Sequence, residues 1–220
     1  MVSMPPKIIP TIFTKKREEF TERLKTVEGL VDRVQIDVID GIFLPEETVP
    51  LETASELETS LKIDVHLMVD EPANWIKKGV QVMAARLIGQ IERMSSQEEF
   101  ISRVVQAEME PGLALDWGTG LEKLELEPLS GADAVLLMSR KAGFGAWPFE
   151  DKIIAKIKKL AKLRNDNSFQ FKIMIDGGLG KENILKVAQA GADELAVGGA
   201  IFNQPDPAQA IKGLKRIISG

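Results

Sequence analysis

Eight short apolar runs, each followed by a charged segment of helical periodicity, recur along this 220-residue chain at roughly 27 residues per unit. The runs lie near residues 7–13, 32–39, 61–69, 85–91, 112–117, 133–139, 170–176 and 194–198. They are apolar on successive residues, as strands of a parallel sheet covered on both faces tend to be. Between them, FEDKIIAKIKKLAKL sets Ile153, Ile157 and Leu160 on one helical face and lysines on the other. GKENILKVAQAGA turns Ile184, Val187 and Ala188 inward in the same way. Thr53 with Glu56, Ser96 with Glu99, and Thr119 with Glu122 have capping-box spacing and predict three helix starts. No Pro/Gly/Ser-rich linker divides the units. The expectation is one domain, residues 1–220, folded as a (β/α)8 TIM barrel. An open dinucleotide-binding sheet should carry Gly-x-Gly-x-x-Gly after its first strand, and the turn here reads TIFTKKRE.

Composition removes several function classes. There is no cysteine, which excludes disulfides, thiolate catalysis and Cys-ligated zinc. There is no tyrosine to serve as a general acid. The net charge of −5 argues against a nucleic-acid surface, because phosphate backbones select basic faces. The cluster Lys156, Lys158, Lys159, Lys162 and Arg164 falls on an amphipathic helix and is expected to be its solvated face. No run approaches the roughly 20 apolar residues of a membrane span. The start, MVSMPPKIIP, lacks a signal-peptide core. A cytoplasmic protein without membrane partners is expected.

Barrel sites form at the C-terminal ends of the strands. Those ends are Thr11, Asp37, His66, Gln90, Asp116, Ser139, Asp176 and Gly198, mostly polar or glycine after apolar runs. His66 is the only histidine of the chain. With Asp37 and Asp176 it suggests one small polar cup. Asp40 follows Asp37 on the same stretch. Three glycine groups follow the last three strands, at Gly143–Gly145, Gly177–Gly180 and Gly198–Gly199. Loops after the seventh and eighth barrel strands often bind phosphate, and glycine lets backbone N–H groups approach an anion closely.

Taken in order, IIPTIF, QIDVIDGIFLP, DVHLMVDEP, LDWGTGLEKL, LLMSRKAGFG, IMIDGGLGKEN and VGGAIF resemble the ribulose-phosphate 3-epimerase family over almost the whole chain. The resemblance implies interconversion of D-ribulose 5-phosphate and D-xylulose 5-phosphate, or a close ketose phosphate. One carboxyl group removes the carbon-3 proton and a second returns one to the opposite face, through an enediolate that a divalent metal stabilises. It implies that Asp37 and Asp176 are the acid/base pair and metal ligands, with His66 a further ligand. Thr11, His66, Met68 and Met138 would meet the sugar. Gly143, Phe144, Gly145, Ala146, Gly177, Gly178, Gly198 and Gly199 would hold the phosphate. The metal could be Zn, Mn, Fe or Mg. Homo-oligomers occur in the family, though no residue here marks an interface.

The pattern also departs from the family. Gln35 stands where the family places a second ligand histidine, and an amide oxygen is a harder, weaker ligand than imidazole. That shifts the expected metal away from zinc and toward Mn²⁺ or Mg²⁺. Gln90 and Gly199 replace a usual histidine and serine, and the sixth loop, RKAGFGAWPF, brings Lys141 and Trp147. Lys141 could place an ammonium near the bound anion. Two other readings accompany these departures: a lyase, decarboxylase or isomerase on the same phosphate-binding barrel, and an inactive phosphate-ligand binder. Asp37-Val38-Ile39-Asp40 lacks the lysine of the related decarboxylases' Asp-x-Lys-x-x-Asp. Trp75 and Trp117 are expected to fill the core.

Overall fold

A computed structural model describes residues 5–145 and 147–219. Eight parallel strands close into a barrel in sequence order: β1 (Lys7–Ile12), β2 (Arg33–Ile39), β3 (Lys62–Met68), β4 (Arg86–Gln90), β5 (Glu110–Leu115), β6 (Ala134–Met138), β7 (Lys172–Asp176) and β8 (Glu194–Val197). The helices outside it are α1 (Arg17–Val27), α2 (Ile76–Gln81), α3 (Gln97–Gln106), α4 (Leu126–Leu129), α5 (Ile153–Asp166), α6 (Ile184–Gln189), α7 (Gly199–Phe202) and α8 (Pro207–Ser219). The expected (β/α)8 architecture is the one observed. The fifth strand begins two residues earlier than its apolar run, because Glu110 and Pro111 hide its start.

A period of two lies beneath the near-continuous apolar runs. Along β2, Val34, Ile36 and Val38 join the core between barrel and helices, as Ile63, Val65 and Leu67 do along β3. The other parity faces the barrel axis. There Ile9, Ile88, Ala114, Leu136 and Met174 form a separate inner core. The buried polar strand residues take this inward parity. Water is excluded from both faces, so hydrophobic burial demands aliphatics outward, while the closed interior can hold polar groups that satisfy one another.

At the N-terminal end this interior is ionic. Arg86, fully buried, reaches Asp64 Oδ2 at 3.2 Å, Glu194 Oε2 at 2.6 Å and Glu110 Oε2 at 3.2 Å. Its Nη2 lies 2.8 Å from Asp133 without the alignment of a hydrogen bond. Arg33 covers the other Asp64 oxygen at 2.5 Å and Glu110 at 2.9 Å. Burial first, against attraction from Arg86 and Arg33, pushes the Asp64 carboxyl up to about 7. This cluster is at the end opposite the candidate site and serves packing.

Several local expectations are corrected. Of the three capping boxes, only Ser96 caps, accepting the Glu99 N–H at 3.1 Å. Glu99 turns instead to Arg103. Thr53 is buried inside a 3-10 turn (Leu51–Glu56) and Thr119 sits in a turn before another (Leu121–Lys123), so neither hydroxyl occupies a cap position. Ile153, Ile157 and Leu160 face the core as expected, and so do Ile184 and Val187, while Ala188 is half-buried. The basic cluster on α5 is only partly solvated, since Lys156 bonds the Asp116 carbonyl at 3.1 Å and Arg164 pairs with Asp193 at 2.5 Å. Trp75 packs on the core, but Trp117 is 40% exposed rather than filling it. No helix among the described residues is long and apolar enough to cross a membrane.

Candidate active site

Pairing register brings the inward polar residues of β1, β2, β3 and β7 to one place. Thr11 stands beside Gln35, Asp37 beside His66, and Asp176 beside Met138 and Ala196. All four polar groups Gln35, Asp37, His66 and Asp176 are buried. Thr11 Oγ1 donates to Asp37 Oδ2 at 2.8 Å, which fixes the carboxylate's orientation. The Gln35 amide nitrogen stands between the carboxylates, 2.7 Å from Asp37 Oδ1 and 2.5 Å from Asp176 Oδ2, and 3.2 Å from Thr11 Oγ1. His66 Nδ1 lies 3.0 Å from Asp37 Oδ1 and 3.8 Å from Asp176 Oδ2.

Two acids buried this closely cannot both ionise cheaply. Burial, then repulsion from Asp37, pushes Asp176 up to about 7, against attraction from His66, Gln35 and Arg140. Burial works against a charged His66, yet the hydrogen bond and charge of Asp37, with Asp176 behind, raise its pKa above the ordinary imidazole value. On its far side His66 Nε2 faces Gln90 Nε2 at 3.2 Å, and Gln90 Oε1 is buried without a partner. A half-turn of the Gln90 amide cures both defects: its Oε1 then accepts a hydrogen bond from the His66 Nε2–H, leaving Nδ1 directed at the carboxylates.

The group suits a divalent cation. Asp37, His66 and Asp176 each offer a ligand atom, and these atoms lie within 4.8 Å of one another. Gln35 Oε1 is buried and unpartnered. Turning that amide about its terminal torsion would present the carbonyl oxygen where the nitrogen now sits, a change that like-charged oxygens forbid unless a cation stands among them. The donor set is then two carboxylates, one amide oxygen and one imidazole, which is rich in hard oxygen.

Above this floor opens a cavity of about 480 Å³. Of the sequence-predicted residues, Thr11, Asp37, Asp176, Gly177, Gly178, Gly198 and Gly199 line it. Gln35 and His66 lie beneath the floor, fully buried, and Met68 and Met138 belong to the inner apolar core. Gly143, Phe144 and Gly145 of the sixth loop are not on the wall. Gly143 packs toward Leu44, and Phe144 stacks on Phe13 with ring centroids 3.8 Å apart, so this segment covers the inner core. Ala146 lies outside the described residues. Lys141 is exposed and stands 5.4 Å over the Trp147 ring, away from the cavity. The cation that does line the cavity is Arg140, beside Arg23. Neither had been singled out, although Arg140 directly follows the strand-end residue Ser139. Asp40 leaves the site and organises the second loop, accepting the N–H groups of Ile42 and Phe43 at 2.9 Å and of Asp70 at 2.7 Å.

The architecture is shared widely. KGPDC from Streptococcus mutans in complex with D-R5P superposes with a TM-score of 0.73 at 16% identity, covering 97% of each chain. Orotidine 5'-phosphate decarboxylase from Pyrococcus horikoshii follows at 0.65 and 17%, covering 97% of this chain and 99% of that one. At these identities the likeness is one of fold. Sequence relatives are more specific. The chain is 33% identical to ribulose-phosphate 3-epimerase of Aquifex aeolicus, covering 88% of this chain and 87% of that one. It is 32% identical to the chloroplastic ribulose-5-phosphate-3-epimerase of Arabidopsis thaliana, covering 94% and 75%. The model of the ribulose-phosphate 3 epimerase family matches residues 6–202, which span all eight strands and seven of the eight helices, α1 to α7, and the chain therefore belongs to the ribulose-phosphate 3-epimerase family.

Proposed function

We propose that this protein epimerises a ketopentose phosphate at carbon 3, interconverting D-ribulose 5-phosphate and D-xylulose 5-phosphate, with Asp37 and Asp176 moving the protons. The observation that carries the reading is the buried Asp37–His66–Asp176 group at the floor of a cavity, in a chain of this family. Inversion at a carbon acid needs two carboxyl groups that differ in protonation, one to take a proton and one to give one back on the other face. In the absence of a cation, burial and repulsion from Asp37 push the Asp176 carboxyl up to about 7, where it can take or give a proton at neutral pH. Thr11 holds Asp37 by a hydrogen bond, so its oxygens stay aimed while protons move. Met68, Met138 and the stacked Phe13 and Phe144 surround the floor with apolar surface, which strengthens electrostatics there.

A divalent cation held by Asp37, His66, Asp176 and the turned Gln35 would supply positive charge opposite the developing enediolate oxygens. The hard donor set supports Mn²⁺ or Mg²⁺ over Zn²⁺ or Fe²⁺. His66 remains oriented by Gln90 in either state. Glycines at 177, 178, 198 and 199 offer close backbone approach for the phosphate. The decarboxylase alternative loses support, because Asp40 is committed to loop N–H groups.

The test follows the carbon-3 proton of ribulose 5-phosphate by NMR in D₂O, with Mn²⁺ added or EDTA present. Exchange and xylulose 5-phosphate formation are expected from the wild type. Asp176→Asn should lower the rate by roughly 10²- to 10⁴-fold. Wild-type exchange from this variant would refute the assigned role.

A further inference from the structure

Arg140 forms no ion pair with either acid of the proton chemistry, although its charge acts on Asp176, and it lines the cavity. It is half-buried at the end of β6 and shares the wall with Gly177, Gly178 and Gly199. Its stem crosses the turn after β7. A Cβ at Gly177 would lie 2.8 Å from Arg140 Cγ, and one at Gly178 would lie 3.6 Å from Cδ. Both glycines have positive φ, 107° and 63°, so the turn itself demands residues without side chains. The space thereby left open is taken by the arginine stem.

The guanidinium is underused. Among the described residues it pairs with no carboxylate, and its hydrogen bond is a long one, 3.5 Å to the Trp147 carbonyl. Arg23, the other cation on the wall, is already engaged by Glu19 at 2.6 Å and the Phe13 carbonyl at 3.0 Å. The amides of Gly178, Gly199 and Ala200 also have no intramolecular acceptor among the described residues. Asp37 and Asp176 repel an anion from the floor, so a dianionic ligand group must sit toward the glycine side, where Arg140 stands. A planar fork with free N–H donors beside free backbone amides is a geometry suited to phosphate.

We propose that Arg140 is a specificity-determining residue that clamps the phosphate of the substrate over the Gly177–Gly178 turn. The charge anticipated from Lys141 is thus supplied by its neighbour. The identity of the sugar rests on the epimerase reading, whereas phosphate recognition does not.

Calorimetric titration of inorganic phosphate at pH 7.5 into the wild type, Arg140→Met and Arg140→Lys reads this directly. The methionine variant should bind phosphate roughly 10- to 100-fold more weakly, because a charge-assisted pair is lost. The lysine variant should fall between, having the charge without the fork. The KM for ribulose 5-phosphate should rise in step, with kcat within about threefold of wild type. Equal phosphate affinity in wild type and Arg140→Met overturns the assignment, as does a wild type that binds no phosphate. A fall in kcat at constant KM also overturns it. Arg140-dependent phosphate binding without carbon-3 exchange would sink the epimerase reading alone.

Discussion

Removing Arg86 should be the most damaging single change outside the active site. The side chain is fully buried and faces four acids. After Arg86→Met, Asp64 and Glu110 keep Arg33, and Asp133 keeps Lys172 at 3.3 Å. Glu194, 3% exposed, keeps no cation among the described residues. Stranding a buried charge costs about 3–5 kcal/mol, against a total stability on the order of 5–15 kcal/mol. With a urea slope of roughly 2–3 kcal/mol per molar, the midpoint should drop by about 1–2.5 M. The loss depends on pH in a definite sense. The folded Asp64 carboxyl, at about 7, lies above its unfolded value, so the fold holds a proton that the unfolded chain releases, and stability falls as pH rises through that window. Arg86 is the largest attraction opposing this shift, so without it the folded carboxyl rises further. Below about pH 7 both folded forms hold this proton, so the deficit of the variant should grow only as pH rises above about 7. Adding Glu194→Leu removes the stranded charge and should recover more than half of the loss at pH 8. Urea unfolding followed by circular dichroism measures all of this. A loss under about 1 kcal/mol at pH 8, or a double variant no better than the single, would refute the reasoning.

Two further variants probe the site floor. Gln35→His should tighten Mn²⁺ or Zn²⁺ binding by about an order of magnitude in a chelator-competition titration, since imidazole is the stronger donor; unchanged affinity would mean that position 35 contributes no ligand. Gln90→Leu should weaken metal binding by roughly 10- to 100-fold, because His66 loses the group that orients it. Wild-type affinity in that variant would show that His66 is held by its strand alone.

Much of the site was legible in the chain because barrel sites collect at strand ends. Thr11, Asp37, His66 and Asp176 stand at or near the ends of apolar runs, and the structure brings all four together. Gln35 was reached through its place in a family motif, and its inward parity with Asp37 was readable as well. The missing signals were local ones. Arg140 follows a strand end by one residue, and nothing in a loop sequence tells which of Arg140 and Lys141 turns inward. Thr53 and Thr119 have the spacing of caps, yet packing and turn geometry place them elsewhere, since a capping pattern competes with whatever else the segment must bury.

Periodicity and strand-end chemistry determined the barrel, its order and the set of acids and imidazole at its mouth, because hydrophobic burial acts on every residue of a repeating unit. What tertiary structure decided was neighbourhood. Closure of the barrel sets Gln35 among three oxygens, stacks Phe144 on Phe13, ties Asp40 to the Asp70 N–H and leaves the Arg140 guanidinium, among the described residues, without a carboxylate above two glycines. Such contacts join residues far apart in the chain, so they depend on strand register and loop packing, which no local pattern encodes.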